Sequence, residues 1–531
     1  MCLEQVKKSP GELVFGVVGA VGSDRDCIRN HLKTALQAVD YECVEIPVIK
    51  LLRDLPRYEA CFRIQDTARS YNAKMDAGND FRMHIELPDA LARLCIEHIR
   101  QLRVEENKKR RQRPQQPLHR RAYVLNSLKR PEEVALLREV YGDSFHLVGA
   151  YSRREDRELA LKRSISDTST RTDEDSAHEA ALLMQRDLSE RDDDFGQNVR
   201  DTFPEADVFV DVSATDRARW PVERFIDLLF SHPLLTPTRD EYCMYHAFGA
   251  RLRSADLARQ VGACIATEDG QVLALGMNDV SKAGGGQYWD EPYVDPAKRR
   301  DGRDFHRKRD ESNVMRRKLF VDTIELLGRK GYLDDETVEK LRTPGAFNAV
   351  REGRLMAVTE YARSVHAEMA AITDAARRGT SIEGAVLYTS TFPCHNCAKH
   401  IVASGIQRVV FVHAYPKSLV ETMYDDSISV DVTSTAGRVL FETFVGVAPR
   451  RYDALFRITK QRKRKDGEVV QWGVEDDTVA LRIEGSPLLS SVAEDNEIQV
   501  LDERRAGKHE KFNTRVEPDE LDGRRADEQQ R

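Results

Sequence analysis

In the first third of the chain, short apolar runs alternate with stretches whose apolar residues recur at helical spacing. That alternation restricts the fold more than any other feature. "ELVFGVVGA" leads into the helical "GSDRDCIRNHLKTAL", and "YECVEIPV", "AYVLNSL", "FHLVGAY" and "ADVFVDVS" supply four further strands. "RPEEVALLREVYG" reads as a helix opened by Pro131 and closed by Gly142. Strands separated by helices need crossover connections, so the pattern predicts a parallel sheet. Between the last two strands, "SISDTSTRTDEDSAHE" is polar and of low complexity, and is expected to be a mobile loop.

"PLLTPTR", from Pro233 to Arg239, marks a boundary. A helix follows ("DEYCMYHAFGARLRSADLARQ"), then the strands "VGACIATED" and "QVLALGMN", turned by the hairpin dipeptide Asp269-Gly270. Residues 281–355 read as an insertion containing the Gly-rich "AGGGQYWDEPYVD" and the helix "MRRKLFVDTIELLGRKG". Beyond it come the helix "HAEMAAITDAARRG", the strand "GAVLYTS", a cysteine segment and the strand "RVVFVHAYP". The expected domains are therefore 1–233 and 234–460. A C-terminal extension, 461–531, is charged, poor in aromatics and expected to be disordered from about residue 500.

A chain of 531 residues with 40% hydrophobic and 32% charged residues is ordinary for a soluble protein. No apolar run approaches a membrane span, and "MCLEQVKKSPGEL" lacks the core of a signal peptide, so a cytoplasmic location is expected. Seven of the nine cysteines are scattered, which is the usage of thiols in a reducing compartment. A net charge of −7 argues against a general nucleic-acid coat.

The remaining two cysteines, Cys394 and Cys397, sit three apart in "TFPCHNCAKH". Alone they fit a redox pair, or a structural zinc site completed by His395 or His400. Upstream, "SVHAEMAAI" opens a helix with His366 and Glu368, and "FPCHNC" opens another after an intervening strand. A helix start stabilises thiolates, so Cys394 and Cys397 become good metal ligands there. With His366 they supply three zinc ligands and leave a fourth position for water, which is the catalytic pattern. Zinc acidifies that water. Glu368 can stand beside it without ligating, take its proton and pass it to the substrate.

His366-Ala367-Glu368 followed by Pro393-Cys394-x-x-Cys397 matches the known signature of zinc nucleobase deaminases. From residue 255, "ARQVGACIATEDGQVLALGMND", "VHAEMAAI" and "LYTSTFPCHNCAKHIVASGIQRVVF" resemble the deoxycytidylate (dCMP) deaminase family. The resemblance implies a cytidine deaminase-like three-layer α/β/α domain holding one Zn2+ per chain. In the wider fold the asparagine matching Asn278 contacts sugar or base, so Asn278 is the substrate-side candidate, with a turn asparagine as the alternative. Val365, Ala367, Thr391 and Phe392 flank the metal ligands and are expected to form the ring pocket, and Tyr415 is expected either to stack on the base or to pack in the core. Some relatives carry a second, structural zinc before H-A-E, but this chain has no cysteine between Cys264 and Cys394.

"GELVFGVVGAVGSDRD" resembles the strand, loop and helix of a P-loop, with Gly16, Gly19, Gly22 and Ser23 as the nucleotide-binding candidates. A Walker A lysine is missing, since Gly22 is followed by Ser23 and Asp24. A degenerate P-loop kinase-like parallel-sheet domain is expected, sensing nucleotide or serving a purely structural role rather than transferring phosphate. This domain order resembles the bacterial anti-phage dCTP/dCMP deaminases. That resemblance implies dCTP as well as dCMP as substrate, a homo-oligomer, a nucleotide effector and, in some members, a small regulatory RNA. The alternatives are a polynucleotide (RNA or single-stranded DNA) cytidine deaminase, suggested by the basic stretches at Lys108–Arg121 and Arg462–Lys465, and a non-catalytic nucleotide sensor.

Overall fold

The computed structural model describes residues 11–190, 193–290, 301–350, 353, 361–415, 418–430, 437–473, 479–482, 487–506, 508–518 and 520. The chain forms two compact units, one made of residues 237–444 and the other of the segments on either side.

In the flanking unit, β1 (Leu13–Gly19) leads through a tight loop into α1 (Arg25–Ala38). Asp24 caps that helix, its carboxylate accepting the Cys27 N–H at 3.0 Å. Ile28, Leu32 and Leu36 form the buried stripe that packs on the sheet with Phe15 and Val17. β2 (Glu42–Pro47) is followed by α2 (Thr67–Ile85) and α3 (Ala90–Arg110), then β3 (Arg121–Asn126) and α4 (Pro131–Tyr141). β4 (Phe145–Tyr151) and β5 (Val208–Asp211) complete a parallel sheet of order β2-β3-β1-β4-β5. The five expected strands are all present. α7 (Thr215–Leu229) packs against α1 and the β5 side of the sheet.

The segment expected to be a mobile loop is mostly helical. α5 (Arg154–Ser166) and α6 (Asp173–Leu188) form a hairpin that leaves only 167–172 as connection. Thr172 caps α6 by accepting the Asp175 N–H, and Asp173, Glu174 and Asp175 place three acids in the first turn, where the helix dipole favours them. Polar composition hid a well-capped helix.

The 237–444 unit opens with α8 (Arg239–Arg251), capped by a reciprocal Thr238–Glu241 box. β6 (Gly262–Ala266) and β7 (Val272–Met277) form the expected hairpin, and β8 (Asp279–Val280) follows directly. The described part of the insertion holds α9 (Glu311–Arg329), α10 (Asp335–Leu341) and α11 (Pro344–Val350), joined by a small apolar cluster around Phe320, Ile324 and Phe347. Residues 291–300, which include most of the expected "DEPYVD" stretch, lie outside the described residues. β9 (Ser364–Val365), α12 (Ala367–Arg378), β10 (Val386–Thr391), α13 (His395–Ala403), β11 (Arg408–His413), β12 (Ile428–Ser429) and β13 (Val439–Thr443) complete the unit. Its sheet runs β12-β13-β11-β10-β6-β7, parallel from β12 to β10 and antiparallel thereafter.

The chain then returns to the first unit, so the second ends at Phe444 and not near 460. β14 (Gly446–Val447) adds an antiparallel edge to β5. The extension is not disordered from 500, because α14 (Pro487–Ala506) and α15 (His509–Asn513) are helical. Residues 521–531 lie outside the described residues. α14 lies along α3, where Glu494, 0% exposed, accepts from Arg103 at 2.6 and 2.9 Å and from Arg100 at 3.3 Å. Phe512 packs among Tyr58, Phe81 and His84. Glu494→Ala leaves two buried guanidinium groups short of a counter-charge, and the expected cost is about 3 kcal/mol, read as a lower urea midpoint.

Candidate metal centre

The sequence sets up this site by starting two helices beside one another. His366 is the N-cap of α12, with extended backbone (φ −63, ψ 152), and Cys394 is the N-cap of α13 (φ −73, ψ 163). The two-strand ladder β8–β9 pairs Asp279 with Val365 and so pins the start of α12. β10 delivers the cysteines at the carboxyl end of the parallel strands, the usual place for ligand groups in such sheets.

Close packing fixes the helix that carries His366 and Glu368. Ala367, Ala371 and Ala375 recur every four residues and are all fully buried. They let α12 press onto β7 at Gly276. A Cβ on Gly276 would stand 2.1 Å from Ala367 O and 2.4 Å from the Ala371 nitrogen, so only glycine fits. Gly379 ends the helix in the left-handed conformation at φ 68.

The result is a compact donor set. Cys394 Sγ and Cys397 Sγ each lie 3.3 Å from His366 Nδ1, and all three ligand atoms fall within 4.8 Å of one another. Tetrahedral zinc with two thiolates and an imidazole requires sulfur–nitrogen separations of roughly 3.6 Å, close to those observed. The residues present therefore fit a zinc ion held by His366, Cys394 and Cys397. Cys394→Ser is expected to lower bound zinc well below one equivalent, measured by metal analysis after dialysis.

Glu368 lies in the first turn of α12, only 4% exposed, with Oε2 3.5 Å from Cys397 Sγ. Burial pushes its carboxyl above the usual range, against the pull of His366. The Cys394 thiol is pulled down to about 4, first by its hydrogen bond with Cys397 and then, against burial, by His366. A thiolate donor and a buried carboxyl that holds a proton more readily than usual thus share one pocket.

The other residues expected on the substrate side divide. Val365 lines an open cleft with His366, Met369 and Cys397. Tyr415 is half-buried against the core cluster that contains Phe392, Cys394 and Cys397, with burial and the nearby Cys394 charge raising its phenol. Thr391 ends β10. Ala367 is buried beneath the helix, and Phe392 is a core ring packed edge-on to Phe411 at 4.8 Å and to Phe441 at 5.7 Å. Asn278 clamps a loop: its Oδ1 accepts from Val261 N at 2.6 Å and its Nδ2 donates to Arg259 O at 2.7 Å. Two further residues support the site. Gly276, singled out in the sequence only as the start of the Gly276-Met277-Asn278 element, is one. The other is Asp256, whose carboxylate accepts from Ser364 Oγ two residues before His366 and whose charge reaches that imidazole. No sequence signal pointed to Asp256.

Residues 237–413 match the family model of the cytidine and deoxycytidylate deaminase zinc-binding region. That region contains His366, Glu368, Cys394 and Cys397. Among known proteins, the deoxycytidylate deaminase of Enterobacteria phage T2 is 50% identical over 54 residues, which is 10% of this chain and 29% of the phage protein. The human deoxycytidylate deaminase is 26% identical over 212 residues, 40% of this chain and 78% of that protein. Among solved structures, the apo dCMP deaminase of cyanophage S-TIM5 is 16% identical, covering 40% of this chain and all of that one, with a TM-score of 0.21. The match spans less than a third of the phage T2 relative's length. The matched zinc-binding region covers only part of the 531 residues, so the N-terminal sheet falls outside it.

Proposed function

We propose that this chain is a zinc-dependent hydrolase that deaminates deoxycytidine nucleotides, dCTP and/or dCMP, to the uracil nucleotide and ammonia. The observation that carries the reading is Glu368, buried within reach of the His366, Cys394 and Cys397 donor set. A bound zinc ion, one per chain, supplies the Lewis acidity that makes hydroxide available near neutral pH.

The chain's own residues do the rest. Glu368 takes a proton from the attacking water and delivers it to the ring nitrogen, then takes the proton of the newly added hydroxyl and passes it to the departing amine. One water is consumed, the carbon–nitrogen bond to the amino group breaks, and a ring carbonyl replaces it. Burial keeps the carboxyl out of bulk water, which suits a group that must both accept and return a proton. On this reading the base lies against Val365, which lines the cleft, and Tyr415. The family resemblance supports a substrate side that also draws on Thr391, Ala367, Phe392 and Asn278.

The resemblance in domain order supports the finer reading. On that reading the flanking unit is a degenerate P-loop kinase-like domain, taking a nucleotide effector near Gly22 and Ser23. The enzyme is then a cytoplasmic homo-oligomer that depletes dCTP as anti-phage defence, with a small RNA as a possible restraint. Gly16 contributes otherwise: it lies inside β1, where a Cβ would stand 2.6 Å from Leu128 Cδ1, so it serves packing. Gly19, at the end of β1, is likewise pressed against Ala150. Among the described residues no helix is long and apolar enough to cross a membrane.

The substrate class is tested by competition. Purified zinc-loaded protein is given dCMP, dCTP, CMP, deoxycytidine and a cytosine-containing single-stranded oligonucleotide, and ammonia is measured. Deoxycytidine nucleotides are expected to react at least tenfold faster than the oligonucleotide. Preference for the oligonucleotide would replace this reading with the polynucleotide one.

A further inference from the structure

The loop between β1 and α1 sits at the carboxyl end of a parallel sheet, on a helix N-terminus, at the centre of the strand order. Such a place gathers backbone N–H groups that favour an anion. Here two carboxylates already serve it: Asp24, within the loop, caps α1 by accepting the Cys27 N–H at 3.0 Å, and Asp187 reaches the loop from outside. Asp187, from the last turn of α6, is 0% exposed and accepts the Val21 N–H at 2.7 Å. The other oxygen of the same carboxylate accepts from Lys129 Nζ at 2.5 Å. Lys129 follows the end of β3, so it brings from a neighbouring strand the ammonium that the loop itself lacks.

Two further observations mark the place as built for a ligand. Ser23, in the same loop and nine-tenths buried, has a hydroxyl with no hydrogen-bond partner. Asn126, at the carboxyl end of β3 and paired in register with Val17 of β1, has a buried Oδ1 that is also unpartnered. Buried polar atoms are nearly always satisfied, so the orphaned Ser23 hydroxyl inside the loop calls for an occupant; the Asn126 orphan lies on the neighbouring strand, level with Val17.

The cover over the loop packs through an apolar cluster of its own and is tied to α2 by the Arg186–Asp76 and Arg171–Asp66 ion pairs. The α5–α6 hairpin packs on Val21 and on α2 through a small cluster, Leu161, Ile165, Ala180, Leu183 and Met184 with Ala68, distinct from the core around Phe15 and Phe225. Its α5 also closes over Gly22, where a Cβ would stand 2.7 Å from Arg157 O. Gly22 has φ +86, which favours glycine in any case.

We propose that the loop of residues 20–24 is a cradle for a phosphate group, that Asp187 occupies it as an internal surrogate with Lys129 as counter-cation, and that displacement of the α5–α6 hairpin exchanges the carboxylate for the phosphate. This deepens the nucleotide-effector part of the proposed function and does not depend on the zinc chemistry. Carboxylate and phosphate use the same donors, a backbone N–H and an ammonium, so one can replace the other without rebuilding the loop.

Equilibrium dialysis of the full chain with inorganic phosphate, and separately with dTTP, tests this, since neither is a deamination substrate. Asp187→Ala is expected to bind phosphate with half-saturation at least tenfold lower than wild type, and to gain more Tm from added phosphate. A gain for both ligands means that phosphate suffices, and a gain for dTTP alone means that a nucleotide's phosphate is the occupant; either supports the proposal. Asp187→Ala combined with Lys129→Ala is expected to lose the gain. Unchanged phosphate and dTTP binding in Asp187→Ala overturns the proposal, and a full gain in the double variant removes Lys129 from it. Asp187→Asn keeps the size of the side chain and serves if the alanine variant does not fold. Failure of both to fold even in phosphate would make Asp187 a structural keystone and also overturn the proposal. Ammonia release from dCMP without added phosphate or dTTP, measured alongside, shows whether the zinc site is still intact in each variant.

Discussion

Glu368→Gln is expected to lower turnover by about 10²–10⁴-fold while leaving bound zinc unchanged. The two readouts separate because Glu368 stands beside the donor set and is not needed to complete it. His366, Cys394 and Cys397 supply the ligand atoms, and the carboxylate lies 3.5 Å from one of them. Glutamine keeps the shape and burial of the side chain and removes its ability to accept a proton. Retained activity would take the proton-transfer role away from Glu368. Loss of zinc together with activity would make it part of the metal's support instead.

Gly276→Ala is expected to reduce kcat/KM about 10²-fold, although Gly276 belongs to the strand beneath the helix. The added Cβ would meet the helix backbone at 2.1 and 2.4 Å, and backbone cannot rotate out of the way as a side chain can. α12 must therefore move off β7, carrying His366 and Glu368 away from Cys394 and Cys397. Overpacking of this kind costs about 1–3 kcal/mol in stability, and a shift of about 1 Å at a reacting group is enough for the rate loss. Weaker zinc retention and a lower Tm should accompany it. A variant with unchanged kinetics would show that the sheet tolerates the displacement and that α12 is not positioned by this contact.

The His366, Cys394 and Cys397 cluster was legible because its residue types stand at short spacing: His366-x-Glu368 and Cys394-x-x-Cys397 each open a helix, as the sequence suggested. The supports were harder to see. Asp256 reaches Ser364 across 108 residues, and nothing local in "SADLARQ" marks it. The strands of the first unit were legible from their apolar runs, whereas α6 was hidden by polar composition. Its stability comes from the Thr172 cap, first-turn acids and a few buried positions such as Leu183. α14 was missed for a related reason. Its charges look like those of a solvated tail until Glu494 is placed against Arg100 and Arg103 of α3, nearly four hundred residues away. The return of the chain to the first sheet rests on a two-residue strand, β14, too short to leave a periodic trace.

One measurement bears most directly on the central claim. Zinc-loaded full-length protein is incubated with dCMP and, separately, dCTP, and ammonia and the uracil nucleotide are quantified together, with Glu368→Gln run in parallel. Ammonia and uracil nucleotide formed in equal amounts by wild type, and reduced at least a hundredfold in the variant, is the predicted result. Absence of ammonia from both nucleotides, in protein that retains one equivalent of zinc, would contradict the account.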